Sequence, residues 1–450
     1  MKGTPLELGT EKIGKLLMQY AIPAIIATTA SALYNITDSI FIGHGVGSLA
    51  ISGLAITFPL MNLAAAFGSL VGVGASALLS MRLGQKDYES ANNILGNVFV
   101  LNLILGTAFT LIMLPCLTPI LYVFGASEKT MPYAHQFMTI ILCGNVVTHM
   151  YFGLNALLRA SGSPVKSMMA TIFTVLINLV LNPLFIFVFD WGIRGSAFAT
   201  VISQFLVLLW QIHLFSNKQN FIHLKRGIFR LQRKIVKDSV SIGMSPFLMN
   251  AAASVIVFLI NQGLLKHGGD LAVGAYGIVN RMAMLFVLIV IGLNQGMQPI
   301  AGYNYGAQLY PRVLGVLKKA IIYATCITTT GFIVIQLFPY YIASIFTTDA
   351  ELIDKASDGL RLVFLLYPLI GFQMVVSTFF QSIGKAGKAI FLSLTRQVIF
   401  LIPCLLILPD IFGINGVWAS LPLSDSISIL LSAILLYRQV KQFRKITIKK

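Results

Sequence analysis

The sequence predicts an all-α polytopic membrane protein, with twelve transmembrane helices in two six-helix lobes related by a pseudo-two-fold axis along the membrane normal. Three observations carry that expectation. Of the 450 residues, 57% are hydrophobic and only 10% are charged, where a water-soluble domain carries roughly 25% charged residues. Apolar runs recur from one end of the chain to the other, each long enough to cross ~30 Å of hydrocarbon as a helix. The second half of the chain also repeats the first. A β-barrel would show alternating ~10-residue segments instead.

The apolar runs place spans near residues 16–42, 48–80, 92–124, 132–158, 166–189, 195–216, 239–265, 272–303, 313–345, 360–382, 388–409 and 413–437. The first run is not read as a signal peptide. Glu7 and Glu11 stand where a basic n-region would be, and the run is too long for an h-region. Cys116, Cys143, Cys326 and Cys404 are isolated within apolar segments. They suggest neither a disulfide framework nor a zinc site, and read as small hydrophobes.

A formal charge of +17 raises the question of nucleic acid, and its distribution answers against it. Lys and Arg concentrate at the N-terminus, in the even-numbered connections and in the C-terminal tail. The odd-numbered connections hold only Lys129, Arg194, Lys266, Lys355 and Arg361, and Arg281 lies inside a span. The positive-inside rule then puts both termini in the cytoplasm, with attraction to anionic lipid headgroups as a second use of the charge.

The repeat is legible in matched residues. His44-Gly45-Val46-Gly47-Ser48-Leu49-Ala50 resembles His267-Gly268-Gly269-Asp270-Leu271-Ala272 with one residue deleted. Before that gap Pro23 pairs with Pro246 and Asp38 with Asn261. After it Gly84 pairs with Gly306, Tyr88 with Tyr310, Gly162 with Gly384, and Gly192 with Gly413. Six spans return the chain to its starting side, so the halves share one orientation with a binding cavity expected between them. We expect an N-lobe at 1–215, a basic cytoplasmic linker at 216–238, a C-lobe at 239–437 and a basic cytoplasmic tail at 438–450. The linker carries Lys218, Lys225, Arg226, Arg230, Arg233, Lys234 and Lys237, interleaved with Ile222, Leu224, Ile228, Leu231 and Ile235. That pattern reads as a segment resting on the membrane surface, with a regulatory partner site as the alternative.

Two carboxylates fall clearly inside the spans, Asp38 and Asp425. A charge in hydrocarbon is costly, so an intramembrane acid points to function. Tyr34 lies one helical turn from Asp38 on the same face. Pro23, in the same span, removes a backbone bond and marks a kink. Asp425 sits nearer a span's start, where it can also snorkel toward water. Asn178 and Asn182 form a second i, i+4 pair, which by itself equally suits a tie between helices. His149 and Arg281 read as satisfied packing residues. No metalloprotease, nucleophile-elbow or P-loop pattern is present in the sequence, so we expect no enzyme. Gly72-Val73-Gly74 lies mid-span and suits close helix packing. Met244, Met249, Met282 and Met284 are candidates, with Asp425, for a pliable substrate-cavity wall.

These residues carry a family resemblance. Tyr34 to Gly43 (YNITDSIFIG) with Leu49-Ala50-Ile51-Ser52-Gly53-Leu54, Leu158-Arg159-Ala160-Ser161-Gly162, and Gly192-Ile193-Arg194-Gly195-Ser196-Ala197 resemble the multidrug and toxic compound extrusion (MATE) family. The resemblance covers about residues 10 to 440 and is closest to bacterial exporters of the DinF-like and MepA-like groups. It implies cation-driven efflux of amphipathic, often cationic drugs by alternating access. It also implies an ion-coupling network of Asp38, Tyr34, Asn155, Asn178, Asn182 and Thr200, with Pro23 at a helix bend. Asn182 departs from the family pattern, in which an aspartate is common. The C-lobe departs too, since spans 7 and 10 lack the carboxylates of NorM-like members. Coupling is therefore expected in the N-lobe and driven by protons. Sodium is the alternative, held by Asp38, Asn178, Asn182 and Thr200.

The expected partners are cationic drugs or dyes and the lipid bilayer, with no nucleic acid and no cofactor beyond the coupling ion. The expected state is a monomer in the bacterial cytoplasmic membrane. A lipid-linked oligosaccharide flippase of the same superfamily is the alternative. Its pyrophosphate-linked cargo calls for several internal cations, and only Arg281 is evident. A membrane-embedded transferase is a more distant alternative.

Overall fold

The computed structural model describes residues 6–448, and every regular element among them is helical. Helix α1 is Ile13–Gly45, α2 is Ser48–Gly84 and α3 is Tyr88–Met113. Helix α4 is a pair, Met131–Cys143 and Asn145–Ala160, bent by 55° at Gly144. Helix α5 runs Pro164–Val188, its last turn π-helical, and α6 is Gly192–Ser216. A continuous stretch, Arg233–Gly306, breaks its helical geometry only at Gly269. It is α7 (233–268) and α8 (270–306). Then follow α9 (Tyr310–Leu337), α10 (Ala350–Val363 and Tyr367–Ser382, bent by 53°), α11 (Ala386–Phe412) and α12 (Ile414–Ile448). Counted this way, the described residues hold the twelve expected spans.

Several boundaries moved for local reasons. Span 3 stops at Met113, ahead of Pro115, and resumes as the short helix Leu117–Val123. Span 9 stops at Leu337 ahead of Pro339, because proline cannot continue the helix's hydrogen-bond ladder. At the other end of the chain, α12 stays helical through Ile448 and buries Gln439 and Phe443. Lys2, Lys449 and Lys450, part of the charge asymmetry, lie outside the described residues.

The matched glycines of the repeat are matched turns. Gly47 and Gly269, Gly162 and Gly384, and Gly192 and Gly413 all adopt positive φ. Only a residue without Cβ enters that region at little cost. Each pair begins or ends equivalent helices in the two halves, so the sequence repeat is a repeat of chain reversals.

The chain forms two compact units. Among the described residues, the first comprises 6–10 and Ile26–Phe247, and the second Glu11–Ile25 and 248–448. Of the three crossings, one falls in the break before α1, after Thr10, and two fall inside helices, just after Pro23 in α1 and just after Pro246 in α7. In the first unit, Ile42, Leu60, Phe109, Phe137, Leu142 and Ile186 form a core. In the second, Ile260, Leu264, Ile278, Phe364, Tyr367 and Trp418 do so.

Glycines explain how each unit accepts the helix segment that enters it. Within the first unit, a Cβ on Gly74 of α2 would lie 1.9 Å from the Ser239 carbonyl oxygen, and one on Gly243 of α7 would lie 1.7 Å from that of Leu70. Within the second unit, a Cβ on Gly296 of α8 would lie 2.5 Å from the Ala21 nitrogen, and one on Gly292 would lie 2.7 Å from the Ile25 Cα. Gly74 and Gly296 are repeat equivalents. Backbone-to-backbone contact of this kind is what small residues permit between helices in lipid.

The linker is packed against the first unit along part of its length. Its Ile222 and Ile228 are buried against the first unit, and Leu224 N–H donates to the Phe215 carbonyl at 2.7 Å. Only part of the interleaved apolar set faces outward.

Candidate ion-coupling site

Three helices of the first unit each contribute an i, i+4 pair to one polar cluster. Helix α1 supplies Tyr34 and Asp38, α5 supplies Asn178 and Asn182, and α6 supplies Ser196 and Thr200. Residues four apart stack on one helix face about a turn from each other. Three such pairs therefore meet as two layers.

The first layer holds the acid. Asp38 is 8% exposed, and its Oδ1 accepts a hydrogen bond from the Ser196 hydroxyl at 2.6 Å and another from the Asn182 side-chain amide. Asn182 is fully buried, and its own Oδ1 has no partner. The second layer is neutral. The Tyr34 hydroxyl lies 2.7 Å from the Thr200 hydroxyl, which also accepts from the Asn178 amide at 3.4 Å. Pro183 directly follows Asn182, and α5 then continues as the π-helical turn Leu184–Val188. A π-turn re-aims the backbone around it, and such turns are frequent at functional positions.

The structure brings Tyr34, Asp38, Asn178, Asn182 and Thr200 together and sets Asn155 apart. Asn155 donates to Thr171 at 3.0 Å and accepts from Ser167, which also accepts from Arg159 at 3.1 Å. Thr171 precedes Asn178 by two helical turns on α5, about 10 Å. Asn155 thus belongs to a second cluster, in which Arg159 meets neutral oxygens. Pro23 is buried in the segment of α1 that belongs to the second unit.

Sequence reasoning missed Ser196. It lies in the Gly-Ile-Arg-Gly-Ser-Ala motif, four residues before Thr200, so the same i, i+4 argument applied to Tyr34 and Asp38 reaches it. A serine is too common in helices to stand out before its partner is known. His149 is fully buried, with Nε2 2.9 Å from the Ala64 carbonyl oxygen and Nδ1 unpartnered.

The candidate substrate-wall residues divide between the units. Met244 lies in the first and Met249, Met282 and Met284 in the second. Met282 packs against the second core, while Met249 and Met284 are exposed. Asp425 does not snorkel. It is 6% exposed and receives the Arg396 Nε–H at 2.7 Å. Arg396 lies within the expected span 388–409, inside α11 on the π-helical turn Thr395–Leu401. Arg281 is therefore not the sole cation within the spans, and it is exposed.

Twelve helices in two glycine-matched halves, with a buried acid held by neutral donors, define a polytopic transporter. The MatE family model matches the chain twice, over residues 23–184 and 246–406. The two matches begin on the repeat-paired residues Pro23 and Pro246. The chain belongs to the MatE family. The multidrug export protein MepA of Staphylococcus aureus is 27% identical over 423 residues, which cover 94% of this chain and 93% of that protein. The protein of the same name from Staphylococcus haemolyticus is 28% identical over 430 residues, with the same coverage. Among solved structures, an outward-facing multidrug resistance MATE family transporter of the MOP superfamily superposes with a TM-score of 0.92 at 24% identity, covering 98% of this chain and 99% of that one. A MATE structure in the bent conformation gives 0.93 at 24% identity over the whole of both chains. These likenesses give the fold, the two-lobe layout of twelve helices.

Proposed function

We propose that the protein is a secondary active multidrug exporter that exchanges amphipathic organic cations for protons, with Asp38 as the coupling switch. The observation that carries the reading is the arrangement around that carboxylate. Two donors converge on Oδ1, and the surrounding helices add only neutral groups. An N–H and an O–H directed at Oδ1 leave a sodium ion only Oδ2 of the several oxygens it needs. A proton needs only Oδ2. Its arrival removes the charge and weakens the two charge-assisted bonds that tie α1 to α5 and α6. The helix end bearing Asp38 is then free to repack.

Sodium is the second reading, favoured by one atom. The Asn182 Oδ1 is buried without a partner. A turn of that amide about its last torsion would present oxygen rather than nitrogen to a cation at Asp38. The names of the MepA relatives support drugs as cargo. An organic cation is the class that a cluster with a net negative charge attracts when Asp38 is ionised. The flippase alternative calls for several internal cations gathered at one cavity; Arg396 is neutralised by Asp425, and Arg159 stands in a separate cluster on α4, hydrogen-bonded to Ser167.

The experiment is transport of ethidium in proteoliposomes under separately imposed gradients. Uptake against a pH gradient in sodium-free buffer is expected. Transport under a sodium gradient at clamped pH, with none under a pH gradient alone, assigns the coupling to sodium. No ethidium movement under either gradient, by protein verified as folded and inserted, overturns drug export.

A further inference from the structure

The segment between α6 and α7 is held in place by amide chemistry. Asn97 on α3 accepts the Gln232 backbone N–H at 2.9 Å and donates to the Arg230 carbonyl at 3.1 Å. Asn92, also on α3, accepts the His223 N–H at 2.9 Å and donates to the Phe221 carbonyl at 3.4 Å. Both asparagines are almost fully buried. Each reads the donor and the acceptor of residues two apart, as a neighbouring β-strand would. Between them a Cβ on Gly96 would lie 2.2 Å from the Ile228 carbonyl oxygen, so the segment lies directly on the α3 backbone. Ile222 and Ile228, each 2% exposed, fill the space below.

A segment fixed this firmly would be expected to bury its large apolar side chains. Phe221, Phe229 and Leu231 are instead 39%, 47% and 45% exposed. Around them Lys225, Arg226, Arg230, Arg233 and Lys234 are also exposed, and among the described residues none of these five is in an ion pair. A cavity of about 110 Å³ opens beside Phe221, with Lys166, Ser161, Ser163 and Asn220 in its wall. It offers an ammonium, hydroxyls and an amide to one small anionic group.

We propose that this clamped segment is a preformed docking surface for anionic phospholipid. Phe221, Phe229 and Leu231 enter the headgroup boundary, and the surrounding cations take up the phosphates. Charge complementarity selects this occupant, because interleaved aromatic and basic side chains suit an interface that is apolar on one side and anionic on the other. The asparagine clamp gives the surface its value. A loop already ordered loses little conformational freedom on binding. The segment also continues directly into α7, so lipid contact here bears on the start of the helix within which the chain leaves the first unit, after Phe247.

The test uses the full chain in nanodiscs. Phe229→Trp is read by quenching with brominated phosphatidylglycerol or brominated phosphatidylcholine, relative to the same protein without that substitution. Strong extra quenching is expected, greater with phosphatidylglycerol. Each cation near an anionic surface contributes ~1 kcal/mol, roughly a fivefold enrichment. In the Arg226→Gln, Arg230→Gln, Lys234→Gln background the preference for phosphatidylglycerol should therefore fall by at least about fivefold. These side chains are exposed, so the fold is retained. Equal quenching by both lipids, or a preference that survives the triple substitution, overturns the anionic-lipid assignment. Absence of extra quenching overturns the membrane contact and leaves the surface to a soluble partner.

Discussion

The Ser196 hydroxyl donates to the Asp38 carboxylate at 2.6 Å across 158 positions of sequence. It shares Oδ1 with the Asn182 amide. One oxygen of the acid is thus engaged by two helices, and the other is left for chemistry.

Asp38→Asn should abolish gradient-driven efflux while the protein remains folded and inserted. Ser196→Ala should retain transport but shift its pH dependence, because the hydroxyl bonds more strongly to the ionised acid than to the neutral one. Its loss removes one of the two bonds that hold the ionised acid to α5 and α6. A hydrogen bond to a charged group is worth about 1.5–3 kcal/mol, enough to alter the profile visibly. Transport rate against pH in proteoliposomes measures this. An unchanged profile in Ser196→Ala, or wild-type pumping by Asp38→Asn, removes these groups from the coupling step.

Asn182→Asp should raise sodium dependence. It replaces a donor at Asp38 with a second carboxylate, and two acids facing each other favour a shared cation. Sodium stimulation of efflux at fixed pH is the measurement. A variant as indifferent to sodium as the parent would show that the amide is not what selects the ion.

Arg396→Gln should destabilise the second unit by about 3–5 kcal/mol, because it leaves the buried Asp425 charge uncompensated, and Asp425→Asn should cost less, because Arg396 is partly exposed. The double variant should recover much of that loss. Thermal unfolding in detergent, arranged as a double-mutant cycle, gives the coupling. Additive losses would mean that the two groups do not depend on each other.

Gly74→Leu should prevent correct assembly of the first unit, since even a Cβ there would lie 1.9 Å from a backbone oxygen. Gly296→Leu should do the same in the second. Gly277, where a Cβ meets nothing within 4 Å, is the control, and Gly277→Leu should express normally. Monodisperse yield after detergent extraction separates these cases.

Both termini are expected in the cytoplasm. A reporter fused after Lys450 should be active only inside the cell, and activity only outside would reverse the topology.

The sequence by itself determined the number and kind of elements. Hydropathy over a span's length and glycine at positive φ are properties of contiguous chain, and so is the i, i+4 stacking of Tyr34 on Asp38 or Asn178 on Asn182. Each is therefore legible without a fold. The resemblance carried by the span 1 motif pointed to the same acid. Tertiary structure decided what meets what. It brought Ser196 to Asp38, took Asn155 to Ser167 and Thr171, and paired Arg396 with Asp425. It also clamped residues 221–232 onto Asn92 and Asn97, and passed the chain between units inside α1 and α7 rather than in the linker. Those outcomes rest on hydrogen bonds and backbone contacts between segments far apart in sequence. Their partners are ordinary serines, asparagines and glycines, and nothing local to such a residue encodes which helix will arrive beside it.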